Sequence, residues 1–142
     1  MEPYTASWVP GVKAFNARLG AGAVFAGFLL SEHQPRADPD PETAAIRQEQ
    51  FLVVSDDEVR GGFILQRQPL WIGGVERSAA NYQSPISEGL VNRAFAHVGP
   101  LMVKHALQES PLLFAVGMGS LDRPLPRMLK AMGWHVQKVP FL

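Results

Sequence analysis

Residues 51–68, FLVVSDDEVRGGFILQRQ, decide the fold because they carry the clearest β pattern in the chain. The apolar run Phe51–Val54 predicts a strand, the acidic segment SDDE predicts a tight turn, and Val59–Gln68 predicts the partner strand of a hairpin. A Gly-Gly turn at 73–74 then leads to a third predicted strand, Val75–Ser84. The sequence therefore predicts an antiparallel meander in the middle of the chain.

Helices and further strands are expected on both sides of this meander, from capping residues and from apolar periodicity. The order predicts an α/β (α+β) fold, in which a mixed, mostly antiparallel sheet carries helices on both faces. The flanking elements that we expect are a strand at Glu2–Thr5, a helix capped by Ser7 and ended by Gly20, a helix at Glu42–Gln50, a helix at Leu101–Leu107, a buried strand at Leu112–Gly119, a helix at Arg123–Met132 and a last strand at His135–Phe141.

Length and composition set limits on function. The 142 residues suit one domain, residues 1–142, and the balance of 13 basic and 13 acidic residues gives no electrostatic reason to expect a nucleic-acid partner. The chain has no cysteine, which excludes disulfides, iron–sulfur clusters and thiol nucleophiles. The longest apolar run, Leu19–Leu30, is shorter than the roughly 20 residues that a membrane-spanning helix needs. We therefore expect a cytoplasmic protein with no membrane partner.

Three segments resemble the GNAT superfamily of acyl-CoA N-acyltransferases. DDEVRGGFIL (56–65) is similar to the GNAT hairpin, and HVGPLMVKHAL (97–107) is similar to the junction that receives the coenzyme A pyrophosphate. The segment LLFAVGMGS…LPRMLKAMGWHVQKVPF (112–141) is similar to the C-terminal strand, helix and strand of the family. The resemblance implies acetyl-CoA or another acyl-CoA as co-substrate, and a small amine or hydroxyl compound as acceptor.

The resemblance also places the cofactor. A glycine before a helix lets the backbone approach a diphosphate, and the residues that align with this loop are His97, Val98, Gly99 and Leu101, whereas Pro100 has no N–H. The loop departs from the family pattern Gln/Arg-x-x-Gly-x-Gly/Ala, which weakens the expected binding of coenzyme A. The thioester oxygen would be held by backbone N–H groups near Ile86 and Ser87.

The resemblance suggests Glu88 as the general base, and a solvated or turn-forming glutamate is the alternative. Leu129 stands where many GNAT enzymes have a tyrosine that protonates the leaving thiolate. Ser120 is the substitute candidate, and a turn residue is its alternative role. Neither the four histidines nor any other spacing predicts a metal site.

Two functional hypotheses stay open at this point. One is an active acyltransferase, and the other is a catalytically silent domain that uses the same cleft to bind a ligand or a partner. The strand predicted at His135–Phe141 would leave an unpaired sheet edge. We expect that edge to be completed by a second copy of the chain, as a homodimer, or by a further C-terminal strand or domain.

Overall fold

The computed structural model describes residues 1–22, 29–33 and 45–138. Within this part, five strands form one sheet in the order β1-β2-β3-β4-β5, joined by three helices and short 3-10 turns. The elements are β1 (Glu2–Pro3), α1 (Val9–Ala21), β2 (Arg47–Ser55), β3 (Glu58–Ile72), β4 (Val75–Ser87), α2 (Val98–Glu109), β5 (Leu113–Phe114) and α3 (Pro124–Ala131), with 3-10 turns at Ala6–Trp8, Glu88–Leu90 and Arg93–Phe95.

The sheet is mixed and mostly antiparallel, as the sequence predicts. Strands β1 to β4 pair antiparallel, and the β2–β3 turn places Asp56 and Asp57 at positive φ (53° and 58°), which matches a primed hairpin turn. Strand β5 runs parallel to β4 and pairs with it only at Ala80–Leu113 and Asn81–Phe114. The last six residues of β4 therefore have no partner strand on the β5 side in the described part of the chain.

A β-bulge near the end of β4 changes the direction of its side chains. Ile64 of β3 pairs with Gln83, whereas Gly62 pairs with Ile86, so three steps along β4 match two steps along β3. Ser84, inside this segment, has a φ of 47°. Residues four apart in a regular strand share a face, but the bulge puts Tyr82 and Ile86 on opposite faces of the sheet.

The core consists of two buried clusters, one on each face. The first holds Phe63, Leu65 and Tyr82 against α2 and α3, and the second holds Leu52 and Ile86 against α1. The helical residues that complete them are Val98, Met102, Val103 and Ala106 of α2, Leu129 of α3, and Val12, Phe15 and Leu19 of α1. Helices on both faces of the sheet are therefore confirmed. The candidate site described below lies at the end of β4, next to these helices.

Several predicted boundaries were wrong. The helix at Glu42–Gln50 is not formed by its described part, because Arg47–Gln50 pair with β3 as the start of β2. Long hairpin pairing supplies a hydrogen-bond partner for this polar segment, and it overrides local helix preference. The predicted strand Leu112–Gly119 shrinks to Leu113–Phe114, and β4 extends beyond Ser84 to Ser87.

The ends of the chain also differ from the prediction. Trp8 rather than Ser7 occupies the N-cap of α1, and the helix continues past Gly20. Residues 135–138 belong to no strand, and residues 139–142 lie outside the described part, as do 23–28 and 34–44. The expected homodimer through a strand at His135–Phe141 therefore has no edge strand in the described residues to support it.

Candidate functional site

A cleft of about 240 Å³ lies between the end of β4, the start of α2 and helix α3. It forms beside the segment of β4 that follows Asn81, where the pairing with β5 has ended. The lining is mostly apolar and includes few polar groups, which is the usual composition of a ligand site. Its residues are Tyr82, Pro85, Ser87, Gly89, Leu90, Ala96, Gly99, Met102, Pro124, Leu125 and Met128.

The amino end of α2 forms one wall of this cleft. Val98 and Gly99 begin the helix, so their N–H groups precede the first intrahelical donor, and Pro100 has none to offer. The N–H of Leu101 donates to the carbonyl of His97 at 3.1 Å, which removes Leu101 from the predicted set of free donors. The helix dipole adds partial positive charge at this end, which favours an anionic ligand group.

The side chains around Gly99 determine whether a ligand can reach the backbone at the amino end of α2. His97 and Leu101 are exposed, so neither the imidazole nor the isobutyl group fills the corner, whereas the side chain of Val98 is buried in the core. A Cβ placed on Gly99 would lie 3.1 Å from the Sδ atom of Met128. Glycine therefore lets α2 and α3 approach closely at this point, and Met128 is the group that covers the backbone.

The two predicted thioester-binding residues both follow the bulge, and as neighbours in β4 they point to opposite faces of the sheet. Ser87 lines the cleft, but the side chain of Ile86 packs in the α1 cluster. A Cβ on Gly61 would lie 2.8 Å from the carbonyl oxygen of Ile86, so the backbone of Ile86 is turned toward β3. Of the two residues, Ser87 is the one placed to contact a ligand in the cleft.

Glu88 follows directly, and its carboxylate points away from the cleft toward α1. It is only 4% exposed, and it accepts hydrogen bonds from Arg18 Nε at 3.1 Å, Arg18 Nη2 at 3.2 Å and Arg60 Nη1 at 3.0 Å. Arg60 also lies over the ring of Phe95, with Cζ 4.2 Å from the ring centroid. This cluster connects α1, β3 and the segment between β4 and α2, next to the lining of the cleft.

The two arginines determine the protonation of Glu88. Burial raises the pKa of the carboxyl, but the hydrogen bonds and positive charges of Arg18 and Arg60 outweigh burial and leave the pKa lowered from its ordinary value. A general base that works near neutral pH needs a raised pKa and a free lone pair toward its substrate. The geometry therefore favours a structural role for Glu88: it begins the 3-10 turn Glu88–Leu90, as the turn-forming alternative predicts, but its side chain is buried and not solvated.

The other catalytic candidate, Ser120, is exposed and lies outside the lining of the cleft. Its Oγ accepts from the N–H of Asp122 at 3.4 Å, and its carbonyl accepts from Arg123 at 3.0 Å. These contacts are those of a turn that leads into α3, and they favour the alternative role that the sequence left open. Leu129 is fully buried in the core, so α3 brings no proton donor to its position.

Tyr82 is a cleft residue that the sequence reading missed. It is 2% exposed, its ring centroid lies 5.2 Å from that of Phe63, and its hydroxyl has no hydrogen-bond partner in the described residues. Burial raises the pKa of this hydroxyl, so it stays protonated. The sequence shows that Tyr82 lies in β4, six residues before Glu88. Its place in the cleft depends on the bulge, which the sequence does not predict.

The described part of the chain shows neither a cluster of metal ligands nor a helix that could span a membrane. Histidine, aspartate and glutamate side chains do not gather there in groups of three that could hold a metal ion. None of the helices described is long and apolar enough to cross a membrane.

Comparisons with known proteins give two similar solved structures. One is an aminoglycoside acetyltransferase from an uncultured soil metagenomic sample, in complex with trehalose, with 13% identity and a TM-score of 0.47 over 99% of this chain and 92% of that one. The other is a mutant BH1408 protein from Bacillus halodurans, with 14% identity and a TM-score of 0.45 over 99% and 98%. No family model and no curated protein sequence matches the chain.

Proposed function

We propose that the protein is a GNAT-type acyltransferase that binds an acyl-CoA in the cleft and transfers the acyl group to a small amine or hydroxyl acceptor. The observation that carries the proposal is the end of β4: it leaves β5 after Asn81, bulges at Ser84, and forms a cleft with the amino end of α2. In such an arrangement the apolar cleft would take the extended thioester arm, and the amino end of α2 would take its diphosphate.

The residues divide the work of binding. The N–H groups of Val98 and Gly99 would meet the diphosphate, and the apolar walls formed by Met102, Leu125 and Met128 would enclose the arm. The backbone N–H of Ser87, which lines the cleft, would meet the thioester oxygen. Met128 covers Gly99, and its unbranched side chain has the rotatable bonds to move when a ligand enters.

The chemistry would depend on positioning more than on proton transfer. The acceptor nitrogen or oxygen attacks the thioester carbon, a C–N or C–O bond forms, the C–S bond breaks, and the thiolate leaves with the electron pair. The two arginines bind the carboxylate of Glu88, and the side chain of Leu129 has no proton to give. The proton that the acceptor loses would therefore go to solvent, and the thiolate would take its proton from solvent. Orientation and oxyanion stabilisation would then supply the rate acceleration.

Calorimetric titration with acetyl-CoA tests the binding step. We expect micromolar binding by the wild type, and at least tenfold weaker binding by Gly99→Val, whose side chain would meet Met128 and cover the backbone. Gly20→Val is the matched control, because a Cβ on Gly20 meets nothing within 4 Å. Thermal melts of both variants check that they fold. No heat of binding at millimolar acetyl-CoA would contradict the proposal.

A silent ligand-binding domain is the second candidate, and the fully buried Leu129 at the tyrosine's place favours it. Release of free coenzyme A from acetyl-CoA, measured with a thiol reagent over a panel of amines, separates the two. The chain has no cysteine, so the protein itself contributes no signal. Thiol release that depends on an amine supports the enzyme, whereas tight binding without any release supports the silent domain.

A further inference from the structure

The chain has two tyrosines, and they differ in one respect. Tyr4 is 7% exposed, and its hydroxyl donates to the carbonyl of Ser31 at 2.7 Å. Tyr82 is 2% exposed, and its hydroxyl has no partner in the described residues. A buried polar group without a hydrogen bond is destabilising and is uncommon in folded proteins, so Tyr82 calls for an explanation.

The position of Tyr82 in the cleft explains why its buried hydroxyl has no partner. It lines the cleft together with Gly99, Met102 and Met128, on the face where β4 has left β5. We propose that the Tyr82 hydroxyl is a hydrogen-bond donor for the ligand, and that it donates to a carbonyl oxygen of the acyl-pantetheine arm. This inference rests on the proposed function, and it adds to that function a residue that recognises the acyl-pantetheine arm.

The environment makes Tyr82 a donor and a poor acid. A carbonyl oxygen needs a neutral O–H, and the burial that raises the pKa of Tyr82 keeps the proton on the phenol at neutral pH. A proton transfer from so weak an acid to a departing thiolate would be unfavourable. Tyr82 is therefore a positioning residue for the arm, and it does not replace the tyrosine that Leu129 displaces.

Access to the hydroxyl requires a small movement. The oxygen has almost no exposed surface, so a ligand atom reaches it only after a neighbouring side chain shifts. Met128 lines the same cleft and packs against the same cluster as Tyr82. A change of its rotamer would uncover the backbone of Gly99 and widen the cleft that Tyr82 lines.

The test compares Tyr82→Phe with Tyr4→Phe by titration with acetyl-CoA and with free coenzyme A. We expect Tyr82→Phe to bind about three- to tenfold more weakly, as for the loss of one neutral hydrogen bond, and Tyr4→Phe to bind like the wild type. Weakening for both ligands assigns the bond to a pantetheine amide carbonyl. Weakening for acetyl-CoA alone assigns it to the thioester carbonyl. Equal affinities of the wild type and Tyr82→Phe for both ligands would overturn the inference.

Thermal melts of the free proteins give a second readout. A structural role of the Tyr82 hydroxyl would lower the melting temperature of Tyr82→Phe, whereas the inferred role in ligand binding would not. Tyr82→Phe removes an unpaired buried hydroxyl, so its melting temperature should equal or exceed that of the wild type. Tyr4→Phe removes a satisfied hydrogen bond, so its melting temperature should fall by a few degrees. A clear fall for Tyr82→Phe would show that the hydroxyl already has a partner and would overturn the inference. If the wild type binds neither ligand, the proposed function itself fails; if it binds and Tyr82→Phe binds equally well, only the role of Tyr82 fails.

Discussion

Replacing Glu88 with glutamine tests the buried cluster that supports the end of β4. The change removes the negative charge that faces Arg18 and Arg60, and it replaces one of the two oxygens that accept their three hydrogen bonds with an NH2 group that cannot accept. Breaking a buried ion pair on one side costs about 3–5 kcal/mol. Here the Arg18 side chain is 30% exposed, and Arg60 keeps Glu58 as a partner. We therefore expect a loss of about 2–3 kcal/mol in the free energy of unfolding at pH 7.

The difference between the two proteins should depend on pH in one direction. The pKa of Glu88 in the folded state lies below its ordinary value of 4.5, so its contribution to stability is fully present above about 4.5. That contribution is lost as the pH falls through the folded-state pKa. Glutamine does not titrate, so the gap between the wild type and Glu88→Gln should stay constant from pH 8 to 5 and narrow below 4.5.

Urea unfolding, followed by circular dichroism at several pH values, measures this gap directly. Glu58→Gln is the control, because Glu58 is half exposed and bonds only the outer side of the same cluster, so its removal should cost less than about 1 kcal/mol. A difference below 0.5 kcal/mol for Glu88→Gln at pH 7, or a gap that widens in acid, would refute the assigned role.

Three further substitutions test the packing and surface contacts of the same sheet. Gly61→Ala should cost about 1–3 kcal/mol in urea unfolding, because its Cβ would lie 2.8 Å from the carbonyl oxygen of Ile86, whereas Gly20→Ala should be neutral or stabilising. Phe63→Ala should lower the free energy of unfolding by about 3–5 kcal/mol, since the ring contacts Phe51 and Tyr82, and Trp71→Ala at a 70% exposed site should change it by less than about 0.5. Arg67→Met should lower the free energy of unfolding by about 1 kcal/mol, because it removes the ion pair with Glu49 and the hydrogen bond to the carbonyl of Glu109, and the loss should be smaller at high salt. A loss that does not depend on salt would contradict an ionic contribution.

The meander and the helices could be predicted because local pattern decides them. Alternating and β-branched residues at 51–68, an acidic turn, and the glycine at position 133 after α3 each act within a few residues, whereas Gly20 did not end α1. The start of β2 could not be predicted in this way, since Arg47–Gln50 are polar and become a strand only by pairing with the far end of β3. Long-range pairing of this kind leaves little trace in the segment itself.

The site was predictable in outline and not in detail. The glycine at position 99 and the helix after it mark one wall of the cleft from sequence alone. The bulge at Ser84 does not follow from any local rule, and it decides that Ile86 turns away while Tyr82 faces α2 and α3. The partners of Glu88 come from residues 70 and 28 positions earlier in the chain, so a carboxylate in a turn gave no sign of its two arginines.

Binding of acyl-CoA at the junction of β4, α2 and α3 is the central claim, and amide chemical shifts during an acetyl-CoA titration test it most directly. With ¹⁵N-labelled protein, we predict that the largest shifts occur at Tyr82, Ser87, Val98 and Gly99, with little change at Glu49 on the distant part of β2. Shifts that are absent at millimolar acetyl-CoA, or that cluster on β2 and leave the amino end of α2 unmoved, would contradict the claim.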